Sequence, residues 1–313
     1  MESKVYLTFS ILLLLLSSFS CTKNSTEPEN QQNNKIVFDR DNNVFLSNIN
    51  IGSTDSSEQI KLTNTDPGWS GHPVWSPDGM TIAFQTDAGI YTVNSNGTNE
   101  RRLTDKMGDG NPSWSPNGSK ITFCSYGEAD STGLQREGIY VIDSDGSNLK
   151  RITDNSISAG NPLWMPDGNT ISFMSADEIY GDIYLINLDG SGLRQLTPSN
   201  LNVTYMAISP DGTRIAFCHY VVLYKLELYI INIDGTGLKK LNPEGINLDG
   251  IGHISWSSDG NMLIFSPGYS LSEQHTTENY GIYMINTDGN NLQYFGKGSN
   301  PQLSPNPRLY NIY

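Results

Sequence analysis

GHPVWSPDG, residues 71–79, decides the fold because the chain says it again and again. GNPSWSPNG begins at Gly110, GNPLWMPDG at Gly160, TYMAISPDG at Thr204, GHISWSSDG at Gly252 and SNPQLSPN at Ser299. Measured on the column Trp75, Trp114, Trp164, Ile208, Trp256 and Leu303, the copies lie 39, 50, 44, 48 and 47 residues apart. A self-similar period of this size marks a propeller or a solenoid.

The residues downstream of each copy choose between the two. A Pro-Asp-Gly turn leads into a short apolar run: TIAF at Thr81, KITF at Lys120, TISF at Thr170, RIAF at Arg214 and MLIF at Met262. After a loop of variable length comes GIYTVN, GIYVID, DIYLIN, ELYIIN or GIYMIN, rich in β-branched and aromatic residues. A second turn (SNG, SDG, LDG, IDG, TDG) precedes RRLT, KRIT, RQLT or KKLN. Each unit therefore reads as four short strands separated by turn signals, with no helical period. Four strands per repeat at this spacing make a propeller blade, so the fold class is all-β.

The two ends of the chain look like halves of one unit. KIVFDRDNNVFLSNIN from Lys35 and EQIKLT from Glu58 match the later part of a repeat, whereas LSPNPRLYNIY at the C-terminus matches its opening. Joining them predicts a six-bladed propeller of four-stranded antiparallel blades over residues 35–313. Closure by pairing of the N- and C-terminal segments would remove the open sheet edges that invite aggregation.

A unit of the form W-S-P-D-G, three residues, I-A-F, loop, I-Y, turn and L-T resembles the TolB-like β-propeller repeat, a WD-type class found in exported bacterial proteins. The resemblance covers essentially the whole of residues 35–313. It implies a fold more than an activity, because one fold hosts many functions. Some members carry a separate domain ahead of the propeller, and residues 22–34 are too short to form one. Others add an α/β-hydrolase domain, yet this sequence contains no G-x-S-x-G elbow.

Ahead of the repeats, residues 1–20 read as a signal peptide. Lys4 supplies a positive n-region, and Tyr6 to Leu16 forms an apolar stretch too short to span a bilayer. Small residues then lead to Cys21. SSFSC resembles a bacterial lipoprotein signal, which would make Cys21 the lipidated first residue of the mature chain. Ordinary cleavage after Ser20 is the competing reading. Residues 22–34, TKNSTEPENQQNN, lack apolar side chains and read, together with Cys21, as a tether. The expected location is the bacterial cell envelope, periplasmic or cell-surface, with the membrane reached through the lipid anchor only.

The formal net charge is −14 and no run of Lys or Arg occurs, which argues against nucleic acid as a partner. Cys124 and Cys218 occupy the same repeat position in non-adjacent units. They read as buried free thiols and not as a disulfide. The tryptophan column reads as packing between blades.

Antiparallel order places the Pro-Asp-Gly and Asp-Gly turns on one rim and the variable loops on the other, where binding usually sits on a rigid scaffold. On that rim, three residues before each marker, stand His72, Asn111, Asn161, Tyr205, His253 and Asn300. These six are expected to form a polar ring at the channel mouth. They either cap backbone groups where each strand begins or present donors and acceptors to a ligand. Tyr126, Tyr269 and Tyr280 in the loops are further contact candidates, while His219 and His275 have no evident fixed partner.

No nucleophile–base pair, paired-carboxylate motif or phosphate loop emerges, so no catalytic residue and no cofactor are expected. The leading expectation is a binding or protein-interaction module for a protein or an envelope or extracellular polymer. The alternative is a metal-assisted polysaccharide lyase or hydrolase using His72 and His253, since the family includes pectate-degrading lyases that hold a divalent metal in the funnel. The Asx-x-Asp-Gly turns lack the bidentate Glu of an EF-hand and read as hairpin chemistry.

Overall fold

The computed structural model describes residues 35–40, 43–48, 60–63, 69–127, 133, 135–175, 181–222, 225–241, 251–257, 259–267 and 281–297. Their strands form six sheets, five of four strands and one of three. The plan is clearest in the second sheet, where Ser70–Trp75, Thr81–Thr86, Gly89–Asn94 and Arg101–Arg102 lie side by side in chain order. We call these positions a, b, c and d. The same antiparallel order recurs in sheets beginning at Gly110, Ala159, Val203 and Ile251.

The first sheet holds Lys35–Arg40, Asn43–Asn48 and Ile60–Lys61, which match positions b, c and d. The C-terminal segment expected to supply its a strand lies outside the described residues, as do the signal segment, Cys21 and the tether.

Sheets stack face against face, so most central strands are buried on both sides. Adjacent residues of one strand look opposite ways: Trp75 packs with Val44 and Leu62 of the first sheet, whereas Val74 packs with Trp114 and Phe123 of the third. The IAF-type phenylalanines Phe84, Phe123, Phe173, Phe217 and Phe265 are almost wholly buried, each stabilising by about 1.5–3 kcal/mol. Each faces the tyrosine of the neighbouring IY motif, with ring centroids 5.6–5.8 Å apart. Those cross-strand pairs explain why both aromatic columns repeat.

The turns explain the rest of the signature. Ser76, Ser209 and Ser257 donate to Asp78, Asp211 and Asp259 at 2.6, 2.6 and 2.5 Å, and accept the backbone N–H that opens the b strand. Met165 has no hydroxyl, and there Asp167 itself accepts the backbone N–H and the hydroxyl of Thr170, at 2.8 and 2.7 Å. The glycine that closes each of these turns has φ between 68° and 70°, a left-handed value that L side chains resist.

Strand d is only two residues long in the first five sheets. The L-T motif extends it with a side chain. Thr63, Thr104, Thr153 and Thr197 accept the N–H groups of Val44, Ile90, Ile139 and Ile183 at 2.9–3.2 Å.

Neighbouring sheets are also tied by polar contacts. The indole N–H groups of Trp114 and Trp256 donate to Val74 O and Ala207 O of the preceding sheet at 3.2 and 3.0 Å. The first residue of strand d reaches forward: Arg101 donates to Ser144 O and Lys239 to Asp288 O, each at 2.7 Å. Lys150 and Arg194 make the equivalent links to Asp189 O and Ile233 O.

Candidate functional site

The a strands open on the rim opposite the tight turns, and the pairing with strand b slips at that point. Register shifts fall between Gly71 and Val74, Gly110 and Ser113, Gly160 and Leu163, Val203 and Tyr205, and Ile251 and His253. Of the expected ring residues, His72, Asn111 and Asn161 fall within these shifts, whereas Tyr205 and His253 are the first paired residues after theirs. His72, Asn111 and Asn161 have φ of 49°, 52° and 48°, in the left-handed region that Asn and His tolerate better than most residues. Residue type here is therefore tied to backbone shape. Bulges of this kind re-aim a side chain, and they concentrate at rims and next to functional sites.

What the side chains do differs from sheet to sheet. Asn161 and Tyr205 are exposed, while His72 and Asn111 are half-buried. The His72 ring lies edge-on to Trp69, centroids 5.6 Å apart. Trp69 in turn is held at its backbone, its N–H donating to Asp87 Oδ2 at 3.0 Å. His253 lies on its bulged strand with Ser266 as backbone partner. Asn300 falls outside the described residues, together with Tyr269, Tyr280 and His275.

A column on strand b packs against the bulged positions. Gln85 Oε1 accepts the Asn111 backbone N–H at 3.1 Å. A side chain on Gly110 would meet that same Gln85 oxygen at 2.7 Å, which accounts for the glycine before the ring residue. One sheet on, Cys124 takes the place of Gln85: its Sγ is 3.4 Å from Gly110 O and 3.6 Å from Asn111 Nδ2. The backbone N–H of Asn161 also points at this sulfur. Burial pushes the Cys124 thiol well up, with the nearby Glu137 charge adding to it, so the thiol is neutral and inert. Burial likewise raises the Glu137 carboxyl, against a hydrogen bond from Cys124. Cys218 is buried and free like Cys124.

Trp69, Gln85 and Glu137 were not singled out by sequence. Trp69 lies outside the repeated tryptophan column, and Gln85 becomes visible only by aligning it with Cys124. One expectation is overturned: His219 does have fixed partners. Its Nδ1 meets Leu201 O, and its ring stands edge-on to Tyr229 at 5.9 Å. Tyr126, in contrast, is exposed as expected.

No group of three His, Cys, Asp or Glu residues converges among the described residues, and the Asn111 amide nitrogen is turned toward Cys124. The Asx turns are likewise self-contained. Asp145, Asp189 and Asp234 each accept both the N–H and the hydroxyl of the residue two places on.

The turn rim carries a concavity that repeat uniformity did not suggest. A cleft of about 890 Å³ opens between the second and third sheets, lined by Asp78, Thr81, Asn94, Glu100, Trp114 and Gly118 among others.

Comparison with known proteins agrees with this architecture. Residues 129–266 match the TolB beta propeller domain family. No curated protein matches the chain in sequence. Among solved structures, TolB from Acinetobacter baumannii superposes with a TM-score of 0.56 at 22% identity, over 79% of this chain and 57% of that one. This chain therefore spans little more than half of that TolB. Oligogalacturonate lyase from Vibrio parahaemolyticus gives a TM-score of 0.65 at 17% identity, over 85% and 75% of the two chains. A puromycin-hydrolyzing peptidase from Mycobacterium tuberculosis gives 0.63 at 16%, over 87% and 43%. At these identities the likeness is one of fold, shared by proteins of unlike activity. Five four-stranded sheets, the W-S-P-D-G repeats and the match of residues 129–266 to the TolB beta propeller domain family agree on an all-β, propeller-type fold.

Proposed function

We propose that the protein is a recognition module of the bacterial cell envelope, binding a protein or an envelope or extracellular polymer through the loop-side mouth of its propeller. The observation that carries this reading is the bulged column at the start of the a strands. Five successive sheets break their pairing at one place, and there each carries a His, Asn or Tyr. Asn300 would complete a ring of six on closure of the propeller. Cys21 would anchor the chain by lipid, with residues 22–34 as tether. Residues 35–313 would form the six-bladed domain.

The fold likeness to an oligogalacturonate lyase supports a second reading, metal-assisted polysaccharide cleavage using His72 and His253. One set of measurements separates the two. The full chain and its Asn161→Gly and Tyr205→Ala variants are incubated with bacterial envelope fractions, and bound material, metal content and polymer cleavage are followed. The recognition reading expects binding that falls about tenfold in the variants, the size of one or two lost contacts near 1.4 kcal/mol. It expects no turnover. Stoichiometric metal lost on His72→Ala, with cleavage of a uronate polymer, would replace recognition with catalysis.

A further inference from the structure

The cleft on the turn rim invites comparison with the equivalent place between the fifth and sixth sheets. In both junctions a tryptophan indole donates to the preceding sheet: Trp114 to Val74 O, Trp256 to Ala207 O. In both, a turn glycine packs beside a proline, Gly118 with Pro77 and Gly260 with Pro210. A forward-reaching cation is present in each as well, Arg101 or Lys239.

They differ at one position. Between the fifth and sixth sheets, Arg214 opens strand b, sets its guanidinium over the Trp256 ring at 4.8 Å and donates to Gly260 O at 2.7 Å. Between the second and third sheets that position is Thr81. Thr81 is too short to cover Trp114 or reach Gly118 O, and all three line the cleft. A second difference accompanies the first. Glu100 lines the cleft, whereas the matching residue beside Arg214 is Leu238. The junction that lacks the internal cation thus carries a carboxylate where the other has a leucine.

We propose that this cleft is a docking slot for an arginine side chain of a partner polypeptide, which would lie over Trp114, donate to Gly118 O and face Asp78 and Glu100. The Arg214 junction shows that this fold accommodates such a guanidinium beside the forward-reaching cation. The net charge of −14 favours approach of a cationic partner. Planarity and a fork of donors suit arginine to an aromatic face with carbonyl and carboxylate acceptors, and lysine cannot reproduce that set. The slot lies on the rim opposite the polar ring, so the two sites stand or fall separately.

The test uses the full chain labelled with 5-fluorotryptophan, the Trp114 resonance being assigned with Trp114→Phe. Acetyl-Gly-Arg-Gly-amide, its lysine counterpart and its citrulline counterpart are titrated in turn. The arginine peptide is expected to shift the Trp114 resonance saturably, with affinity about tenfold above the other two. Thr81→Arg is expected to move that resonance unaided and to abolish the response to peptide. Equal responses to the arginine and citrulline peptides, or to the arginine and lysine peptides, would overturn the proposal. So would a Thr81→Arg chain that titrates like the wild type. Should Thr81→Arg not fold, Glu100→Gln carries the same test: affinity about threefold weaker supports the slot, and unchanged affinity overturns it.

Discussion

Replacing Asn161 by Ala and by Gly asks whether the ring residues are there for their backbone or for their side chains. Asn161 has φ 48° and an exposed side chain, so little packing is lost in either variant. A left-handed backbone costs an ordinary L residue roughly 1–2 kcal/mol, a cost that Asn softens and Gly avoids. Asn161→Ala should therefore lose about 1–2 kcal/mol and about 2–8 °C of melting temperature, taking roughly 2–4 °C per kcal/mol for a chain of this size. Asn161→Gly should stay within about 0.5–1 kcal/mol of the parent, its remaining cost being unfolded-state entropy. Urea and thermal unfolding followed by tryptophan fluorescence read both numbers. Equal stability of the two variants would refute the claim that the bulge selects the residue. The Gly variant also removes the side chain while leaving the bulge intact, so any binding it loses belongs to the side chain.

Other expectations rest on single contacts. Thr153→Val keeps shape but leaves the buried Ile139 N–H without its 3.0 Å acceptor, so urea unfolding should show a loss of about 1–3 kcal/mol. Thr153→Ser keeps the acceptor and should lose only about 0.8 kcal/mol for the methyl group. A thiol reagent should find no more than one reactive cysteine in the native chain and at least two more after denaturation, because Cys124 and Cys218 are buried with raised pKa values. Hydrogen bonds, led by those from Ser76, Ser209 and Ser191, hold the carboxyls of Asp78, Asp211 and Asp189 below the ordinary range. A depressed folded-state pKa gives stability that is present above the unfolded value near 3.9 and is lost as pH falls through the folded one. The urea midpoint should thus drop steeply below about pH 4, and a Ser76→Ala, Ser209→Ala double variant should show a shallower drop.

The repeat made the fold legible because each blade spends its signature on local chemistry. Ser76 and Asp78 close a turn within five residues, Phe84 meets Tyr91 across one hairpin, and Thr104 ends a strand it can reach alone. The candidate positions were legible only as a column. Position relative to Trp75 placed His72, Asn111 and Asn161 together, but nothing in one residue's identity announced a left-handed backbone. Support from a neighbouring sheet, such as Gln85 beneath Asn111, depends on contacts 26 residues apart. The cleft was hidden for the opposite reason. A repeat read for what it shares does not show what Thr81 lacks relative to Arg214.

Recognition through the loop-side mouth can be put to hydrogen exchange of the full chain, alone and bound to envelope material. Slowed exchange confined to segments 69–72, 109–111, 159–161 and 203–205 is the expected result. Binding that leaves those segments unchanged and protects another surface would show that the recognition face lies elsewhere.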